Sequence, residues 1–191
     1  MLWSSASIPG KPALLIVDAS GDVQGWESQF CDRIYSSLRK RGLGLKAEGP
    51  VRVREPGELE PHLTDGGLNS ILLLGHGAGG ASGEGMGVYW SWLAEREGLT
   101  PLLPAVCTWE SHDPALTERI LGGSDGFAPL AVAQKSPLGP REAGLYFLKF
   151  FTELDLHSED AITGRMVWFS DSKARELLKR RRLPGLVGVR C

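Results

Sequence analysis

The sequence predicts an α/β fold: a three-layer α/β/α sandwich around a mostly parallel central sheet. Three observations predict it. Short apolar runs alternate along the chain with segments of helical periodicity, the pattern of strand–helix–strand units. The runs ALLIV (Ala13–Val17) and, after Ser70, ILLL (Ile71–Leu74) are continuously apolar rather than alternating, as strands are when both faces of a parallel sheet are covered. The length of 191 residues suits one domain with a sizeable core and is short for two, so residues 1–191 read as a single domain, with residues 1–11 a flexible N-terminal segment.

Taken in order, Ala13–Val17 is a buried strand bounded by Pro12 and Asp18. Trp26, Phe30, Ile34 and Leu38 recur at intervals of four, with Cys31 and Tyr35 beside them, and define one face of a helix. Arg39, Lys40 and Arg41 place cations at its C-terminal end, and Gly42 suits its closure. Val51–Arg54 alternates as a short strand does, and Glu58–Leu63 reads as a helical turn after Pro56 and Gly57. Ser70–Leu74 is a second buried strand, which runs directly into Gly75-His76-Gly77-Ala78-Gly79-Gly80. Val88–Glu97 is a helix, and Leu102–Val106 a strand made irregular by Pro104. Asp113 is an N-cap for a helix with Pro114 in first position, Leu116, Ile120 and Leu121 on its apolar face and Gly122 past its end. Leu130–Ala133 is a strand. Gly139-Pro140 opens an amphipathic helix that buries Ala143, Phe147, Phe150, Phe151 and Leu154. Met166–Phe169 reads as a strand, and the Ser170–Arg182 helix as the last element.

Composition narrows the function classes. Hydrophobic residues at 42% and charged residues at 23% are globular values, and a formal net charge of −2 does not favour nucleic acid or an anionic membrane as partner. No apolar run approaches the roughly 18–20 residues of a membrane helix, and the start MLWSSASIPGKP lacks a secretory pattern. Three widely spaced cysteines, Cys31, Cys107 and Cys191, form no disulfide framework, which fits a reducing compartment and a cytoplasmic location.

In open parallel sheets, ligands bind beyond the C-terminal ends of the strands. That rule selects Asp18, His76, Cys107 and Gln134-Lys135-Ser136. A cysteine is a nucleophile as its thiolate and needs a base nearby; histidine titrates in the range to serve as one. Glycines after His76 expose backbone N–H groups that, with that of Cys107, suit an oxyanion. The same residues also read as a core cysteine and a structural histidine, and Asp18-Ala-Ser-Gly-Asp22 as a turn.

The segments SILLLGHGAGG and LLPAVCTWES resemble the two catalytic blocks of the caspase-like superfamily, the clan of caspases, metacaspases, legumains and separases. They are most similar to its bacterial CHAT-type branch. A third segment, FAPLAVAQKSPLGPREAGLYFLKFFTEL (Phe127–Leu154), is similar to the strand, Pro-containing loop and aromatic helix that follow the cysteine there. The resemblance spans roughly residues 12–155; the chain departs from the pattern in a short His-to-Cys interval and in Trp109. It implies a cysteine endopeptidase, with His76 as general acid and base, Cys107 as nucleophile and the N–H groups of Gly77 and Cys107 as oxyanion hole. It also implies a specificity pocket near Asp18, Asp22, Gln134 and Ser136, where an acidic lining would favour a basic residue in the substrate. Regulated proteolysis such as bacterial defence, a protein or peptide substrate and an activating protein partner belong to the same expectation. No cofactor or metal is implied, and no nucleic-acid or membrane partner.

Other motifs fit their chemistry less well. Gly122-Gly123-Ser124-Asp125-Gly126 fits the nucleophile elbow of esterases, but a helix precedes it and a strand follows, the reverse of the elbow. Gly75-x-Gly77-x-x-Gly80 has the bare spacing of a phosphate loop without its Lys or ribose-binding acid. Cys107, His112 and Asp113 are too few for structural zinc. Lys179–Arg182 reads as a solvated helix end. The rival to the peptidase from another class is a non-catalytic caspase-like partner or scaffold domain.

Overall fold

A computed structural model describes residues 6–21, 25–64, 66–76, 85–96, 99, 101–109, 113–122, 128–134, 139–180 and 187–190. In chain order the elements are β1 (Ser7–Pro9), β2 (Ala13–Ala19), α1 (Trp26–Lys40), β3 (Gly44–Leu45), β4 (Val51–Arg52), a 3₁₀ turn (Pro56–Leu59), α2 (Glu60–Leu63), β5 (Ser70–His76), α3 (Met86–Ala94), β6 (Leu103–Trp109), α4 (Pro114–Gly122), β7 (Ala131–Gln134), α5 (Pro140–His157), β8 (Ala161–Thr163), α6 (Gly164–Arg180) and β9 (Val187–Arg190).

The main sheet runs β3-β2-β5-β6-β7-β9, with β4 also pairing β2. Every pairing in it is parallel except that of β9, which lies antiparallel to β7 at the edge. The period of two along each strand sorts the apolar side chains into two layers. Leu14, Ile16, Leu72, Leu74, Leu103, Ala105 and Cys107 pack with residues of α1, α5 and α6. Leu15, Val17, Ile71, Leu73 and Val106 pack with residues of α3 and α4 on the other side. The result is the predicted α/β/α sandwich with a mostly parallel sheet. Among the described residues no helix is long and apolar enough to cross a membrane.

Local chemistry accounts for most boundaries. α1 closes as expected: Gly42 takes φ +81°, its N–H bonds the Arg39 carbonyl and the Leu43 N–H bonds that of Leu38, a Schellman arrangement. Asp113 caps α4 by accepting the Leu116 N–H at 3.0 Å. Pro104 fits in β6 because the Leu103 N–H bonds Asn69 of the β5 side, so the next residue points its nitrogen the other way. Pairing with β7 begins only at Ala105, and no ladder bond is lost there. All five apolar residues expected to face inward on α5 are buried.

Five expectations are corrected. Met166–Phe169 belongs to the first turns of α6 and is not a strand; the buried positions Val167, Ser170, Asp171 and Ala174 recur at helical spacing, while Trp168 is exposed. α6 is not the last element, since β9 follows it. Within the N-terminal segment, Ser7–Pro9 pairs antiparallel with Ala161–Thr163 and buries Ile8 completely. The inward stripe of α1 is Cys31, Ile34, Tyr35 and Leu38, while Trp26 stands exposed. Finally, β5 and β6 run farther than their apolar cores: His76 is the last residue of β5, and Cys107 lies within β6 rather than past its end.

Candidate active site

The site is organised by the parallel pairing of β5 with β6. Leu74 lies opposite Cys107, and His76 opposite Trp109. Leu72 and Leu74 share a face with Leu103, Ala105 and Cys107, and His76 continues that row. His76 and Cys107 thus occupy the same face of neighbouring strands, two positions apart along the strand axis. One strand spacing and a two-residue rise put their α-carbons on the order of 8 Å apart.

Gly75 packs the end of β5 closely on its other side. A Cβ there would sit 2.6 Å from Met86 Cε and 3.0 Å from the Ala19 carbonyl oxygen, so β2 and α3 close on the strand where only hydrogen fits.

His76 is partly exposed, and its Nε2 lies 3.1 Å from Oε1 of Glu27, whose side chain is 5% exposed. Glu27 stands in the first turn of α1, where the positive end of the helix dipole favours a carboxylate. Sequence reasoning missed Glu27, because an acidic residue in a first turn reads as solvated capping. The signal that could have found it is its place four residues before Cys31, one helical turn ahead of the buried stripe of α1.

Cys107 is fully buried among apolar side chains, and this burial pushes its thiol far above the ordinary value of 9.0. The alternation set by the Leu103 N–H turns the N–H of Cys107 toward β5, into the sheet ladder, rather than outward as an open oxyanion donor. Its neighbour Thr108 faces β7, which ends at Gln134. There the Gln134 side chain takes over the pairing: Oε1 accepts the Thr108 N–H at 3.0 Å, and Nε2 donates to the Thr108 carbonyl at 2.9 Å. Both hydrogen-bonding ends of the Gln134 amide are therefore engaged by backbone.

Asp18 ends in a comparable state. Its Oδ1 accepts the Ser20 N–H at 3.1 Å and the Ser20 hydroxyl at 2.6 Å, its Oδ2 accepts the Ser28 hydroxyl at 2.6 Å, and Arg52 Nε stands 3.8 Å away. It borders a cavity of about 170 Å³ beside Ser28, Arg52 and Glu58; neither His76 nor Cys107 lines that cavity. The structure thus brings together His76, Cys107 and Gln134 at the ends of β5, β6 and β7, with Asp18 opposite Leu74 on the neighbouring strand, where it borders a recess at the end of β2.

Gly77, Asp22 and Ser136 lie outside the described residues, as do Lys135, His112, Ser124 and the side chain of Trp109. The described neighbours of Ser124 are α4, which ends at Gly122, and β7, which starts at Ala131, the order opposite to a nucleophile elbow. No known protein-family profile matches the chain, and no curated protein matches it.

Proposed function

We propose that the chain is a cysteine endopeptidase of the caspase-like fold, with Cys107 as nucleophile and His76 as general acid and base. One observation carries the reading: the parallel register of β5 and β6 sets the two side chains on one face of the sheet at its C-terminal edge. The mostly parallel sheet with helices on both faces supports it as the architecture the resemblance implies. In the reaction, the Cys107 thiol passes its proton to His76 and the thiolate attacks a peptide carbonyl. The leaving amine takes the proton from His76, and water then hydrolyses the thioester. The buried, protonated thiol describes a resting form, which a substrate or an activating partner opens. Regulated proteolysis, including a role in bacterial defence, and a cytoplasmic setting are part of the same proposal.

A mass-spectrometric peptide-library assay tests it, run beside a thiol-directed acyloxymethyl ketone probe. Cleavage and labelling by the wild type, with cleavage reduced roughly 10²-fold or more in Cys107→Ala and His76→Ala, is the expected result. A wild type that cleaves nothing and whose Cys107 takes no probe removes the reading.

A second reading, a non-catalytic partner or scaffold domain, is favoured by the complete burial of Cys107 in the apolar cluster. On that reading Cys107 fills the core, and Cys107→Val retains both the fold and the function.

A further inference from the structure

We infer that Glu27 is a positioning residue for His76, and so a third member of the catalytic unit; this rests on the peptidase reading above. The carboxylate is almost fully buried, yet it sits 3.1 Å from Nε2 of His76. Burying a carboxylate is unfavourable unless charge and hydrogen bonds compensate. Two features of the fold compensate here. α1 begins at Trp26, so its N-terminal dipole end bears on Glu27. Nε2 of the imidazole stands 3.1 Å from Oε1, within reach for its N–H to donate to the carboxylate.

The consequence for chemistry follows from the ring's two nitrogens. With Nε2 carrying the proton that Glu27 accepts, Nδ1 keeps its lone pair and is the atom that takes a proton. When the Cys107 thiol gives its proton to Nδ1, the ring becomes a cation facing the Glu27 anion. The contact also fixes the ring against α1, so its orientation is set before substrate arrives. Glu27 touches neither substrate nor sulfur in this arrangement; it acts through His76.

The test uses the full chain labelled with ¹⁵N-histidine, with His76 assigned by His76→Gln. The wild type is expected to show an exchange-protected Nε2–H proton resonance for His76. Glu27→Ala loses that resonance, and its kcat falls by between roughly 10- and 10⁴-fold with KM nearly unchanged. Glu27→Gln, close to isosteric and still an acceptor, keeps the resonance and loses less activity, which separates positioning from misfolding. A wild type without the protected resonance overturns the inference, as does a Glu27→Ala variant with wild-type kcat. If the wild type neither cleaves nor takes the thiol probe, the peptidase reading fails first. A resonance that persists in that case makes Glu27 a tether between α1 and β5 and overturns its positioning role.

Discussion

At the scale of single residues, burial decides what each cysteine can do. Cys31 and Cys107 both lie in the apolar layer under α1 and α5 with no exposed surface, and both thiols are pushed up: Cys107 by burial, Cys31 by burial and then by the Asp18 and Asp32 carboxylates. Such a group holds its proton in the folded chain and loses it in the unfolded chain once pH rises above the ordinary value of 9.0. Above that pH the unfolded state binds fewer protons, so stability falls with pH by about 1.4 kcal/mol per unit for each such thiol. Below it both states are protonated and the thiols add no pH dependence. Urea melts of the wild type and Cys107→Ala at pH 8 and pH 10 check this. The wild type is expected to lose about 1 kcal/mol more than the variant over that interval. Parallel losses in the two proteins would place the Cys107 thiol in contact with water.

At the scale of elements, the end of β6 is held by a side chain standing in for backbone. β7 stops at Gln134, and the Gln134 amide meets both the N–H and the carbonyl of Thr108, next to Cys107. Gln134→Ala leaves two buried backbone groups unpaired at about 1–3 kcal/mol each, so a destabilisation of roughly 2–6 kcal/mol is expected from urea midpoints. A substrate-binding role alone would instead raise KM and leave the midpoint within about 0.5 kcal/mol of wild type. This bond also shows where the sequence was legible. β2, β5 and β6 announced themselves as apolar runs and α5 by its aromatic spacing, because burial on both sheet faces or on one helix face writes itself into residue type. The last residues of β5 and β6 did not, since Gly75, His76 and Thr108 are held there by close approach and side-chain bonds that no periodicity records. Met166–Phe169 misled for the same reason in reverse: its run of large apolar residues suits a strand, and only packing against α5 makes it a helix. His76 and Cys107 could be placed at one edge of the sheet from sequence, whereas Glu27 and the depth of the thiol could not, because both depend on how α1 lies against the strands.

At the scale of the whole molecule, the question is which motion exposes Cys107. Cys31 lies mid-helix on α1, in the layer that α5 fills with Tyr146, Phe147, Phe150 and Phe151. Uncovering it means separating a helix from the core, which is global unfolding. Cys107 lies two residues from the end of β6, where the Gln134 amide holds the backbone of its neighbour Thr108. Release of that strand end is a local opening that exposes little other surface, so its free energy depends weakly on urea. Iodoacetamide labelling of the native chain, read at each cysteine by peptide mapping across low urea concentrations, distinguishes the two motions. Cys107 is expected to label at least about tenfold faster than Cys31, with a rate nearly flat in urea, while Cys31 follows the steep dependence of global unfolding. Gln134→Ala is expected to speed Cys107 further, and to speed Cys31 only by as much as it lowers global stability. Equal rates with the same steep urea dependence would mean that the thiol opens only when the molecule unfolds. A nucleophile reached in that way serves no catalytic cycle, and the scaffold reading would take the place of the peptidase.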